Sequence, residues 1–213
     1  MNAKAQTQVI TIVLISGIVI SLVGTVYMWG VPLISKRTAI TEFLGAEDFA
    51  VRLDQKITEI AASESGEATL DMPEGGLRAI SYFDAGGGVN TDPDNNSVIF
   101  QFVTDQPLLS ASSNVVLKTS ILGENATYGE AEPRVIIMNS QPLSPGSMIY
   151  LKVHYRELDT IGRPYRGYKI AIIPGALSGN NQVKVSFAGT EVMPAQAKNG
   201  GDLILTKIRI DTF

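Results

Sequence analysis

The feature that most constrains this chain is the segment Val9–Val31. It is 23 residues long and almost wholly apolar, inside a charge-free stretch of 31 residues between Lys4 and Lys36. A helix needs about 20 apolar residues to cross a bilayer core of about 30 Å, so this segment is long enough to span. A cleaved secretory signal has an apolar region of about 7–15 residues closed by a small-residue site. This run exceeds that length and no A-x-A pattern closes it. The core helix of a soluble protein is rarely uncharged over such a distance.

Details within the run agree with a membrane helix. Tyr27 and Trp29 stand near its C-terminal end, where amphipathic aromatics favour the membrane interface. Ser16, Gly17, Ser21 and Gly24 are small residues at spacings that let helices approach closely. Pro32 is expected to kink or interrupt the helix at the membrane exit. Lys4 and the amino terminus are balanced by Lys36 and Arg37, so basic flanks alone do not orient the span. A cytoplasmic N-terminus is the orientation that suits the rest of the chain.

A second helical pattern covers about Thr38–Ala62. Ile40, Phe43, Ala46, Ala50, Leu53, Ile57 and Ile60 step by three or four, which makes one apolar stripe. Glu42, Glu47, Asp48, Arg52, Asp54, Lys56 and Glu59 are assigned to other faces. The stripe must cover either the downstream domain or neighbouring copies. Gly66 is the expected stop. Beyond it the period shortens to that of strands, expected near residues 68–72, 77–83, 97–104, 114–120, 134–139, 148–156, 168–173, 182–187 and 203–212. A phase slip at Thr206–Lys207 suggests a bulge, and Gly179–Asn181 a hairpin turn. The fold class expected is α+β: a long N-terminal hydrophobic helix followed by an antiparallel β-sandwich head of immunoglobulin-like type. The domains are residues 6–65, spanning at about 9–31 and amphipathic at about 38–62, and the head at 66–213.

Composition removes several chemistries. The chain has no cysteine and one histidine, which excludes disulfides, thiolate sites and two-histidine zinc motifs. Residues 38–213 carry 14 of the 17 basic residues and all 21 acidic ones, a net charge of −7 that disfavours nucleic acid. His154 alternates with Lys152 and Arg156 on a polar strand face, and no partner can be nominated for it as a base. In the loop Gly86–Asn96, Asp92, Asp94 and Asn96 offer alternate oxygens as a calcium loop does. Ser97 and Val103 stand where that loop requires Gly and Glu, so a polar hairpin loop is the reading adopted. Gly86-Gly87-Gly88 lacks the Lys-Ser/Thr of a phosphate loop. Asn95 and Asn125 begin N-x-Ser/Thr acceptor patterns. Arg163, Tyr165, Arg166 and Tyr168 interleave charge with aromatic rings, which suits stacking ligands or simply an exposed loop. No catalytic residue and no cofactor are expected.

The tip ahead of the apolar run reads Lys4-Ala5-Gln6-Thr7. This resembles the class III signal of archaeal type IV pilins and archaellins: a basic residue, a small residue, then the mature N-terminus. The resemblance covers residues 4–62 by motif and the remainder by architecture. It implies a leader of residues 1–5 cut by a prepilin peptidase between Ala5 and Gln6, with the apolar helix retained. Bacterial pilins usually carry Glu at the fifth mature position, which is Ile10 here, so the archaeal branch is the better match. The resemblance further implies a non-enzymatic subunit, held in membrane lipid before assembly. It then polymerises with copies of itself into an extracellular filament, with the head outside the cell, for adhesion or appendage structure. The alternative is a single-pass anchored domain, serving a secretion or motility machine or a surface binding role.

Overall fold

The computed structural model describes residues 3–105, 114–118, 126–144, 146–178 and 181–213, with side chains described from residue 11 onward, Lys118 and Leu177 excepted. The chain divides into two compact units, Met1–Thr41 and Glu42–Phe213. One helix, α1, runs from Ala3 to Ser63. The interruption expected at Pro32 does not occur. Proline removes a single N–H, and the turns around it remain helical. The helix stops where Glu64 and Gly66 take left-handed backbone angles, φ 48° and 92°.

Eleven strands follow: β1 Glu67–Asp71, β2 Gly76–Ile80, β3 Ser97–Thr104, β4 Val115–Lys118, β5 Ala126–Thr127, β6 Arg134–Pro142, β7 Ser147–Tyr155, β8 Leu158–Asp159, β9 Arg166–Leu177, β10 Gln182–Met193 and β11 Asp202–Thr212. One sheet has the order β1-β10-β11-β9-β8-β5 and the other β2-β3-β7-β6-β4. The layout is α+β with mostly antiparallel strands. Two pairings, β9 with β11 and β5 with β8, are parallel. The two-residue strands β5 and β8 carry too little sequence to show a period.

The expected hairpin between β9 and β10 is replaced by another arrangement. Gly179 and Asn180 lie outside the described residues, but the strands on either side do not pair. The C-terminal strand β11 enters between them, antiparallel to β10 and parallel to β9. Leu205, Ile208 and Ile210 are fully buried, and a strand this apolar is best covered in the middle of a sheet.

The phase slip in β11 also has a different cause from a bulge at Thr206–Lys207. β11 keeps its register with β9 unbroken from Asp202 to Ile210. Its two faces are covered in different places. Leu203 and Leu205 enter one cluster with Tyr82, Ala171 and Ala197, whereas Ile208 and Ile210 enter another with the rest of the core. The irregularity sits on the partner strand, between Phe187 and Gly189 of β10, where Gly189 supplies φ 118°.

The principal core draws from both sheets and from α1. Phe49, Leu53 and Ile57 of the helix are buried with Phe100, Ile136, Leu151, Ile172 and Val185. Phe49 packs on the Phe100 ring at 5.2 Å between centroids. The stripe therefore covers its own downstream domain. Two positions depart from the expected pattern: Ile40 is exposed, and Phe49, outside the pattern, is wholly buried.

Candidate functional site: the uncovered apolar helix

The described part of the unit Met1–Thr41 is helix throughout. Val9–Val31 at 1.5 Å per residue extends about 34 Å, close to the bilayer core thickness. It belongs to the one described helix that is long and apolar enough to cross a membrane, and none of its most apolar 18-residue window is buried. Ile20 is 72% exposed and Trp29 83%, values otherwise typical of polar residues. From residue 11 to Val31 no side chain is ionisable except Tyr27.

Several hydroxyls in and just beyond this stretch bond back to the helix's own carbonyls. Ser16 Oγ donates to the Ile12 carbonyl at 2.7 Å and Thr25 Oγ1 to Ser21 at 2.8 Å. Ser35 and Thr38 do the same to Val31 and Ile34, at 3.0 and 3.1 Å. Back-bonding of this kind suits a hydrocarbon environment, where an unpaired hydroxyl is costly. Gly17, Ser21 and Gly24 fall at i, i+4 and i+7 on one face, whereas Ser16 lies about 100° round the helix. Gly17 and Ser21 floor a shallow groove walled by Val13, Leu14 and Leu22. Lys4, Ala5, Gln6 and Thr7 have helical backbone, and their side chains lie outside those described.

The other residues singled out in the sequence are used structurally. Asn96 is buried at φ 52° and staples two sheets together. Its Nδ2 donates to the carbonyls of Tyr155 (2.7 Å) and Ile170 (2.8 Å), and its Oδ1 accepts the Ile172 N–H at 2.9 Å. Asp92 Oδ1 accepts the Asp94 N–H, and Asp94 pairs with Lys152 at 2.5 Å. The three oxygens of the calcium pattern are thus turned to separate tasks. Among the described residues no group of three or more His, Asp or Glu is placed to hold a metal. Asn95 Nδ2 bonds the Asn90 carbonyl and Ser97 is buried with its hydroxyl on Asp94, so this acceptor pattern is folded into the loop. Asn125 lies outside the described residues. Gly86 and Gly88 donate to Asp84 Oδ1 at 2.9 and 2.7 Å, a turn closed on its own carboxylate.

His154 is half-buried, with Nδ1 3.1 Å from the Asn95 carbonyl. It lines a cavity of about 330 Å³ with Arg156, Glu157, Lys169 and Lys198. Arg156, expected on the polar face, is buried with its guanidinium on the Glu132 carbonyl at 2.9 and 3.1 Å. Burial pushes the Glu157 carboxyl up, against the lowering effect of the Lys198 N–H that it accepts at 2.7 Å.

A buried ionic group connects the helix to the sheet and escaped the sequence reading. Asp54 is fully buried rather than on a solvent face. It pairs with Arg134 of β6 and accepts the Tyr155 hydroxyl of β7 at 3.2 Å. Burial raises its carboxyl to about 6 despite the attraction of Arg134. The Tyr155 hydroxyl is pushed well up by burial and by the same carboxylate. The signal was present: Asp54 lies four residues after Ala50 and three before Ile57, within the apolar stripe.

No protein-family model, curated protein or solved structure matches this chain. Function therefore rests on the residues and their arrangement.

Proposed function

We propose that this chain is a non-enzymatic, pilin-like structural subunit of an extracellular filament, in which the apolar half of α1 is first held in the membrane and then packed against copies of itself. The observation that carries the reading is the uncovered apolar window of α1, set beside a head that has closed its own core. Such a helix requires lipid or other helices of its kind. The face of Gly17, Ser21 and Gly24 suits close packing in either setting. Heterologous contacts that fail to close into a ring extend into open fibres.

Processing between Ala5 and Gln6 by a prepilin peptidase belongs to this reading. So do surface localisation with the head outside the cell and a role in adhesion or appendage structure. The immunoglobulin-like assignment of the head rests on its two stacked, mostly antiparallel sheets. The parallel β9–β11 pair and the helix in the core are departures from it.

Shearing surface appendages from cells and sequencing the N-terminus of the recovered chain tests the proposal. A start at Gln6, lost on Lys4→Ala or Ala5→Leu substitution, is the expected result. An intact Met1 confined to the membrane fraction would establish the single-pass anchor instead.

A further inference from the structure

Two surfaces of the head are unaccounted for by its own packing. The first is the loop between β8 and β9. Ile161 is 80% exposed, Tyr165 is 46% exposed, and Arg163 stands over the Tyr165 ring at 6.0 Å. Neither Arg163 nor the neighbouring Arg166 forms an ion pair among the described residues. The loop is nonetheless firmly held. Thr160 and Arg166 exchange hydrogen bonds at 2.9 Å, and Asn199 Nδ2 donates to the Arg166 carbonyl at 3.1 Å. A Cβ at Gly201 would overlap the Tyr165 carbonyl, so the backbones are in direct contact. Exposed Ile, Tyr and Arg on a rigid support is the composition of a protein-docking surface.

The second surface is a cleft of about 460 Å³ lined by Glu42, Glu74, Phe102, Val103 and Met148. Its lining is mixed, apolar at Ala46, Pro73, Phe102, Val103 and Met148 and polar at Gln101 and the two glutamates, with Val103 55% exposed. Glu42 and Glu74 are exposed beside it, and among the described residues neither is ion-paired.

The two surfaces lie at opposite ends of the head. From the cleft at Met148, β7 leads to His154, about 20 Å away at 3.3 Å per residue, and Arg156 follows just past the strand's end. Lys169 lines the same cavity as those two residues. The loop follows only after β9 is traced back from Lys169 through its start at Arg166. A chain cannot fill its own cleft with its own loop.

We propose that the loop Ile161–Tyr165 of one copy docks into the cleft beside Glu42, Glu74 and Val103 of the next copy. Ile161 and Tyr165 meet the apolar part of the lining, and Arg163 meets the two carboxylates. This proposal rests on the filament reading and names the contact between heads. A knob and socket at opposite ends of one unit make a heterologous contact, which propagates rather than closes.

The chain contains no cysteine, so introduced pairs report cleanly. Ile161→Cys and Val103→Cys are placed together in the full-length chain, and membranes and sheared surface material are oxidised separately. A ladder of disulfide-linked dimers and higher multimers is expected from the double variant, and none from either single variant. Adding Arg163→Glu should reduce the ladder at least tenfold, and further adding Glu74→Arg should restore it. Monomers alone from the double variant, or an equal dimer band from Ile161→Cys by itself, would overturn the docking. Filaments with no ladder would remove this contact and leave the filament reading standing. A ladder in membranes without filaments would keep the contact and remove that reading.

Discussion

Two stretches of the same helix both carry large apolar side chains and meet opposite fates. In residues 46–60, Phe49, Leu53 and Ile57 have almost no exposed surface, and charges such as Asp48, Arg52, Lys56 and Glu59 occupy the remaining circumference. In residues 12–34, apolar side chains cover the whole circumference and stay exposed. The difference is one of periodicity. A stripe can be covered by one partner on one side, and the head provides it. A helix apolar all round needs surroundings on every side, which no single domain of this size supplies.

The most forceful way to break this comparison is to truncate one residue in each stretch. Phe49→Ala should destabilise the head by about 4 kcal/mol, because a ring is lost from a packed core and a cavity remains. Ile20→Ala should leave unfolding of the head unchanged. Denaturant titration in detergent, monitored by near-ultraviolet circular dichroism, reads both. Equal effects would mean that the two stretches are not separate in kind.

A second test concerns the ionic group that joins the buried stretch to the sheet. Arg134→Ala leaves Asp54 buried without its cation and should cost about 3 kcal/mol. The double variant Asp54→Leu with Arg134→Met should recover much of that loss, since an apolar pair of similar volume bears no desolvation cost. The same titration measures it.

The third is smaller and depends on pH. Asp54 has a folded-state pKa of about 6, above its ordinary 3.8. Between those values the folded chain holds a proton that the unfolded chain releases. Stability from this group is therefore fully present below about pH 4 and declines as pH rises through 6. Asp54→Asn should flatten the stability profile over pH 4–6. A profile unchanged by the substitution would show that this carboxyl is not the source.

The smallest effect on the head is expected from Gly17→Ile. Nothing lies within 4 Å of a Cβ there, so the melting temperature of the head should not move. The yield of sheared filaments should fall steeply, because a bulky residue separates helices that pack through small ones. Unchanged filament yield would remove the small-residue face from the assembly proposal.

Local patterns were legible where one covering surface sets the period. Ala46, Ala50, Leu53, Ile57 and Ile60 could be read as a buried stripe before the partner was known. Ser97–Thr104 showed its strand because one neighbouring layer buries alternate residues. β11 misled because its two halves are covered on opposite faces, which in a linear sequence is indistinguishable from a bulge. Asp54 and Asn96 were hidden for another reason. A polar residue is read as exposed unless its partners are known, and theirs are remote in sequence: Arg134 and Tyr155 for one, Tyr155, Ile170 and Ile172 for the other.

By itself the sequence determined that an uncharged, membrane-length helix leads into an amphipathic one and then into strands. These properties depend on residues within a few turns of each other, and local hydrophobic period records them directly. Only the tertiary structure decided that the amphipathic half serves its own head, that β11 lies between β9 and β10, and that Asp54 is buried with Arg134. Each of these depends on which distant segment covers which surface, and burial free energy is indifferent to the order in which covering residues occur along the chain.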